Sequence, residues 1–378
     1  MKTVELGEIC TITMGQAPRG DSYNDSQCGL PLIAGAGDFA GALPSPKKYT
    51  TAPSKISRAG DIILGIRASI GDRVWSDREY CLGRGVAGLR AESALDSKYL
   101  WHWLGHSAQQ LAAKGRGATF LQVNRKDIAS MKIALPPLDE QRRVAAVLDH
   151  ADHIRTQRQR VVSQIEALPQ AAFNHVFGES LGGPTVKLGE VAEVASGITK
   201  GRRTTDATRP VPYLAVVNVQ AGRLNLSQVK EIDATEAEIA RYTLSFGDLV
   251  LTEGGDPDKL GRGTVWREQL PICIHQNHIF RVRVTEPSLD PEYLSAYLAS
   301  RRAKDYFLRS AKQTTGIASI NMTQLRATPI YLPPLDAQER YLRQVRKTAE
   351  MRETAEAQAR TLDDLFASLQ SRAFSGQL

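Results

Sequence analysis

Leu135-Pro136-Pro137-Leu138-Asp139-Glu140-Gln141 occurs a second time, as Leu332-Pro333-Pro334-Leu335-Asp336-Ala337-Gln338, 197 positions further on. A diproline cannot lie inside a helix, because proline lacks an N–H and its ring clashes with the preceding turn. It also drives the residue before it towards extended geometry. Each copy opens a glycine-free run, and the two runs stay in step to Phe177 and Phe374. Asp139 and Asp336 are expected as helix N-caps, with Glu339 at capping-box spacing after Asp336. Each copy therefore marks the end of a globular unit and the start of a long helix.

The first run spans Glu140 to Phe177, a helix of roughly 57 Å at 1.5 Å per residue. Val144, Val147, Ala151, Ile154, Val161, Ile165, Leu168 and Ala172 recur at three- and four-residue spacing, with Arg158 as the interruption. Tyr341, Val345, Thr348, Met351, Ala355, Leu362, Leu365 and Leu369 do the same, interrupted by Gln358. These are heptad-like seams. Their narrow width suits two helices zipped together better than a helix laid on a broad core. Pro169 is expected to kink or end the first helix. Equal length and phase favour pairing with each other, antiparallel because each helix leaves a different globule.

Working outward, Val4-Glu5-Leu6-Gly7-Glu8-Ile9 returns as Val186-Lys187-Leu188-Gly189-Glu190-Val191, and Gly60-Asp61 returns as Gly247-Asp248. The offset grows stepwise from 182 to 197, as expected of one duplicated unit that gained loop insertions, which are thermodynamically cheap. Asp61–Leu64 with Arg73–Trp75, and Asp248–Leu251 with Thr264–Trp266, read as hairpins. Leu82–Leu89 reads as a strand and Ile272–Val284 as strands. Tyr99–Leu104 and Tyr293–Leu298 have helical spacing. The fold class expected is α+β, with segments 1–137, 138–178, 179–334 and 335–378; Gly178, Gly182, Gly183 and Pro184 form the linker between the copies.

The bulk properties are those of an ordinary globular protein, with 42% hydrophobic and 24% charged residues among 378. No apolar run is long enough to cross a bilayer, and the first residues lack a signal-peptide core. The four scattered cysteines include no Cys-x-x-Cys and fit a reducing cytoplasm. A net charge of +7 points mildly to a polyanionic partner.

The Val-x-Leu-Gly-Glu openings, the Gly-Asp-(Ile/Leu)-(Ile/Val)-Leu strands and the doubled Pro-Pro-Leu-Asp-x-Gln resemble the specificity subunit of type I restriction-modification systems. Thr252–Arg262 and Gln276–Arg281 carry the same likeness. The resemblance covers nearly the whole chain. It implies two mainly-β target-recognition domains, each followed by a long helix, the helices paired as an antiparallel coiled coil. Each domain would read one half of a split site on double-stranded DNA. The helices would act as spacer and as dock for two methyltransferase subunits, with restriction/motor subunits joining them. The chain would catalyse nothing itself; S-adenosylmethionine, ATP and Mg would belong to the partners. Three rival readings remain: the recognition subunit of another defence assembly, a coiled-coil scaffold that binds protein, and an enzyme with an unrecognised site.

For a DNA reader, Lys and Arg meet phosphates and side chains at loop tips reach base edges. The basic loop residues are Arg67, Arg73, Arg84, Lys114, Arg116, Arg125 and Lys126 in the first copy. Of these, Lys114-Gly-Arg-Gly-Ala-Thr119 is favoured because its glycines allow close backbone approach. In the second copy they are Lys200, Arg202, Arg203, Lys259, Arg262 and Lys312, with Gln276 and Asn277 as amides suited to adenine. Asn124 and Asn321, each eleven residues before a diproline motif, read as turn or cap residues. His102/His106, His150/His153 and His275/His278 lack a convincing third metal ligand. Gly115-Arg-Gly117 and Gly261-Arg-Gly263 complete no nucleotide-binding motif, and no phosphate-binding Gly-x-x-x-x-Gly-Lys-(Ser/Thr) is present. The acidic turn Glu253–Asp258 lacks the spaced carboxylate-and-lysine set of a nuclease.

Overall fold

A computed structural model describes residues 2–117, 121–178, 183–256, 259–314 and 317–378. Gly182 of the linker, Ala118 and Thr119 of the favoured loop, and Pro257 and Asp258 of the acidic turn lie outside them. The chain divides into two compact units: Met1–Arg160 with Ala355–Leu378, and Val161–Thr354.

In the first unit, strands β1 (Cys10–Met14), β2 (Ile62–Gly65), β3 (Arg73–Trp75) and β4 (Val86–Ala91) form an antiparallel sheet in the order β3-β2-β4-β1. A second sheet, of five strands, holds the parallel pair Leu30–Ile33 and Tyr80–Leu82. The stretch expected as one strand over Leu82–Leu89 is thus two strands, broken by a turn at Gly83–Gly85 that passes the chain from one sheet to the other. Helix α1 (Ser97–His106), capped by the Asp96 carboxylate, packs on the four-stranded sheet through Tyr99, Leu100, Trp103 and Leu104.

The long helix α2 runs Leu138–Phe177. The second unit repeats the plan. Strands β5 (Ala192–Ser196), β6 (Leu249–Thr252), β7 (Gly263–Val265) and β8 (Ile279–Val284) form a sheet in the order β5-β8-β6-β7. Arg209–Leu214 and Ile274–His275 are the parallel pair of its second sheet. Helices α3 (Pro291–Ala299), α4 (Arg301–Ser310) and the long α5 (Leu335–Ser375) follow.

Both long helices begin two residues earlier than a cap at Asp139 or Asp336 requires. The Pro137 carbonyl accepts from the amides of Glu140 and Gln141, both at 3.0 Å, and Pro334 does the same for Ala337 and Gln338. The aspartates are first-turn residues whose carboxylates pair with Arg142 at 3.3 Å and Arg340 at 2.6 Å. Glu339 faces Arg343 instead of closing a capping box. Helix α2 also continues through Pro169 without ending there.

The last residue of the motif holds each unit to its helix. Gln141, 1% exposed, accepts from the Asp96 amide (2.8 Å) and donates to the Ala94 (3.0 Å) and Pro136 (2.9 Å) carbonyls. Gln338 makes the same three bonds with Asp290, Ser288 and Pro333. An unpaired buried polar group costs about 1–3 kcal/mol, so this glutamine fixes the angle at which the helix leaves the globule.

The cores draw on both ends of the helix pair. Val144, Ala145 and Leu148 of α2 join Phe366 and Ala373 of α5 in the first unit's core, and Arg143 donates to the Leu378 carbonyl at 2.8 Å. Phe173 and Phe177 of α2 join Tyr341 and Leu342 of α5 in the second unit's core. In each unit the start of one helix meets the end of the other, which is antiparallel pairing. Of the expected seam, Val144, Ile165, Tyr341 and Ala355 are buried, whereas Val147, Ile154, Val161, Leu168, Met351 and Leu365 are exposed. The helix carries two neighbouring apolar stripes, and their spacing alone does not say which faces inward. Among the described residues, no helix is long and apolar enough to cross a membrane.

Candidate nucleic-acid interface

Each four-stranded sheet has one end at which β1 and β2 stop and β3 and β4 start, and likewise for β5, β6, β7 and β8. The loops gathered there are 15–22, 66–72 and 83–85 in the first unit, and 197–208, 253–262 and 276–278 in the second. The opposite ends carry the Gly-Asp turns. There Asp61 takes Arg90 at 2.7 and 2.8 Å and the Arg58 amide at 2.8 Å; Asp248 takes Arg283 at 2.7 Å and the Ser245 amide at 2.7 Å. Gly60 and Gly247 hold φ near +87° and +88°, left-handed geometry suited to glycine. These acids brace the frame, leaving the loop end as the variable surface.

Further chain is stitched onto that end. In the first unit the Val123 amide bonds Ile66 O at 3.1 Å, Arg67 Nε donates to Gln122 Oε1 at 2.7 Å, and Arg116 pairs with Gln122 through the backbone. In the second, Gly254–Gly255 pairs with Ile317–Ser319, which pairs with Lys312–Thr314. Arg67, Arg84 and Arg116 are thereby brought together in one unit. Lys200, Arg202, Arg203, Lys259, Arg262, Gln276, Asn277 and Lys312 are brought together in the other.

One correspondence emerges from the register. Gly83 bonds Ile33 O at 2.8 Å just after its strand, and Gln276 bonds Leu214 O at 3.0 Å just after the equivalent strand. Gly83-Arg84-Gly85 and Gln276-Asn277-His278 are therefore the same turn. Its backbone is crossed closely by Gly15 and Gly197, where a Cβ would fall 2.1 Å from Gly83 O and 1.9 Å from His275 O. One copy presents an exposed guanidinium and the other two half-buried amides. His278, beside them, holds Glu253 at 2.7 Å.

The other candidates differ in how far their charges are already engaged. Arg73 is committed inside the protein: its guanidinium lies 4.5 Å over Trp101, which stacks on Trp75 at 4.8 Å, and burial pushes its pKa down to about 10. That packing removes it from the loop surface. Lys114 donates to Asp127 O and Ser130 Oγ, both at 3.3 Å, and Arg116 reaches the Asp127 carboxylate at 3.3 Å. The described part of the favoured loop is therefore clamped to one buried acid. Arg125 and Lys126 are exposed on the first turn after the Asn124 cap, whose capping box with Asp127 is matched by Asn321 with Gln324.

Arg202 holds both oxygens of Glu238 and donates to Asp233 O at 2.8 Å; its hydrogen bonds keep the Glu238 pKa near 2. With Arg203, Thr204, Thr208 and Asp233 it lines an open cleft of about 850 Å³. Lys200 lies 5.3 Å over the Tyr213 ring, and Lys259 pairs with Asp256. Arg84, Arg203 and Lys312 are exposed, and Arg262 is half-buried. His102 and His275 are buried, each held by one ring nitrogen, to Asp149 and to Ile279 O. Among the described residues, no group of three or more His, Cys, Asp or Glu is placed to hold a metal ion.

Residues 1–166 and 184–355 match the type I restriction modification DNA specificity domain. The chain belongs to this family. The specificity-domain match falls once on each unit, in agreement with the duplicated frame. Among relatives, the putative type I restriction enzyme MjaX specificity subunit of Methanocaldococcus jannaschii is 33% identical over 176 residues, 46% of this chain and 41% of that protein. The chain thus spans less than half of that relative's length. The EcoKI specificity subunit of Escherichia coli K12 is 22% identical, over 92% of this chain and 82% of its own. Two solved structures share the fold. The type I restriction-modification S subunit of M. genitalium has a TM-score of 0.52 at 13% identity, covering 99% of this chain and 96% of that one. A chain of a type I restriction-modification assembly has 0.63 at 20% identity, covering 100% and 98%.

Proposed function

We propose that this chain is the DNA-reading subunit of a type I restriction-modification complex, with each unit reading one half of a gapped duplex site and the chain itself catalysing nothing. The observation that carries this reading is the split behaviour of the two units. Their frames repeat down to single hydrogen bonds, while their loop ends bring together different basic and amide side chains. That is the arrangement expected of two readers with a common mounting and different targets.

The contacts proposed are Arg84, with Arg67, Arg116, Arg125 and Lys126, in the first unit. In the second they are Gln276 and Asn277, with Lys200, Arg203, Arg262 and Lys312. Arginine pairs bidentately with guanine and an amide with adenine; the remaining cations would meet phosphate. The long helices would set the gap, since a 40-residue helix such as α2 is about 60 Å long. Their exposed stripe Val147, Ile154, Val161 and Leu168, spaced by seven, is the surface proposed for methyltransferase subunits.

The test is co-expression with the neighbouring methyltransferase gene in a methylation-free host, followed by genome-wide mapping of methylated adenines. A single split motif with a fixed gap is the expected result. A stable complex that methylates nothing would overturn the proposal.

A further inference from the structure

The two copies differ most in charge at a place outside the loop tips. After α1 the first unit has the short helix Ala108–Ala112, Ala-Gln-Gln-Leu-Ala, with no charged residue. At the equivalent place the second unit has α4, ten residues long, carrying Arg301, Arg302, Lys304 and Arg309 against one acid, Asp305. Its inner face, Ala303 and Phe307, is buried in the unit's core. At 100° per residue, Arg301, Arg302, Asp305 and Arg309 fall together on the opposite face. They line an open groove with Tyr306 and Pro329.

The place of this groove is fixed by its neighbours. A Cβ on Gly261 would come within 2.6 Å of the Phe307 ring, so the C-terminal half of α4 lies against the 253–262 loop. The chain then enters Lys312–Thr314, which is paired into the same loop end. The arginines thus begin at the loop surface and run back along the flank of the unit. Asp305 approaches Arg301 only at 3.9 Å. Among the described residues, no carboxylate pairs with Arg302, Arg309 or Lys312.

We propose that Arg301, Arg302 and Arg309, continued by Lys312, form a phosphate track that holds double-stranded DNA flanking the half-site of the second unit, without reading its sequence. The track rests on the reading of the units as DNA binders. It is favoured over an acidic protein surface by its continuity with the loop end. The guanidinium fork also matches phosphate geometry. Arg302 and Arg309 are about 10 Å apart along the helix, the rise of roughly three phosphates on one strand at about 3.4 Å each. Among its described residues the first unit carries no such track, so the grip on flanking DNA is one-sided.

The experiment uses the full chain in complex with its methyltransferase. Binding is measured across a salt series to duplexes carrying the mapped site, with short or long flanks on the side of the second unit. R301A/R302A/R309A should lower the slope of log affinity against log salt by about 2 to 3, at about 0.9 per phosphate contact. The loss should appear only on the long-flank duplex, with the methylated motif unchanged. R301K/R302K/R309K, which keeps the charges, should restore most of the binding; a triple alanine variant that fails to fold would leave this lysine variant and the flank-length dependence of the wild type as the test. An unchanged slope, or a wild type indifferent to flank length, overturns the track. Loss of the methyltransferase from the triple alanine complex at unchanged slope also overturns it and assigns the surface to a protein partner. A wild type with no salt-dependent duplex binding would instead sink the DNA-reading proposal itself.

Discussion

The two units share the hydrogen bonds that clamp and brace their frames and differ most where they meet solvent. Gln141 and Gln338 make the same three bonds, Asp61–Arg90 and Asp248–Arg283 brace the same turn, and Tyr99 and Tyr293 donate to the carbonyls of Ala134 (3.0 Å) and Tyr331 (2.9 Å). Removing one member of such a set strands its partners, so each change is punished at once. The turns at Gly83–Gly85 and Gln276–His278 share a backbone path but no side chain: Gly83 and Gly85 lie against the Ala34 backbone, where a Cβ would fall 2.9 and 2.3 Å away, while His278 holds Glu253. A duplicated frame can thus keep its mounting while its two surfaces drift towards different partners.

The largest effect on this comparison should come from the brace. Asp248→Ala takes the carboxylate from Arg283, which keeps only Ser245 Oγ and the Thr243 carbonyl, and orphans the Ser245 amide; it should destabilise the second unit by about 3–4 kcal/mol, read by urea denaturation. Next comes a buried residue that the copies do not share. His275 stands where the first unit has Leu82, and burial pushes its pKa down to about 4, only partly offset by its bond to Ile279 O. Its stabilising contribution is complete above the ordinary value near 6.5 and is lost as pH falls towards 4, because the unfolded chain takes up the proton first. That window amounts to up to about 3 kcal/mol. His275→Leu should flatten the stability–pH profile between those values. An unchanged profile would show that other groups set the acid limit.

Gln338→Ala should cost about 2–3 kcal/mol by orphaning the Asp290 amide and two carbonyls, and Gln141→Ala should cost a similar amount. Thermal melts of both variants would show whether the two clamps are equivalent. The smallest effects in energy are the most specific. Arg84→Ala should relax one half of the methylated motif and Asn277→Ala the other, each by about 1–3 kcal/mol of base discrimination, with stability unchanged. If both variants relaxed the same half, the one-unit, one-half-site assignment would fail.

Much of the frame was legible in the sequence because it rests on local chemistry. The diprolines announced two helices, both Gly-Asp hairpins formed, and Asn124 and Asn321 proved to be caps. What stayed hidden depends on partners distant in the chain. The motif glutamine was visible twice, yet two of its three bonds go to residues more than forty positions away. Arg73 looked like a loop cation until Trp101 was found beneath it. The inward stripe of α2 passes through Ala145 and Leu148, adjacent to the expected Val147 and Ile154, and only packing against Phe366 and Ala373 distinguishes them. The match of Arg84 to Asn277 follows from strand register, which insertions had shifted out of view.

The first core is built partly from Phe366 and Ala373, which come nearly last in the chain. During synthesis the second unit has all its core residues once Leu342 and Val345 have been made, while the first must wait for the C-terminal helix. The unit translated first is therefore the last to be sealed. Until then Val144, Ala145 and Leu148 lack the covering that α5 provides, so a released chain cut after residue 350 would hold a finished second unit and an open first one.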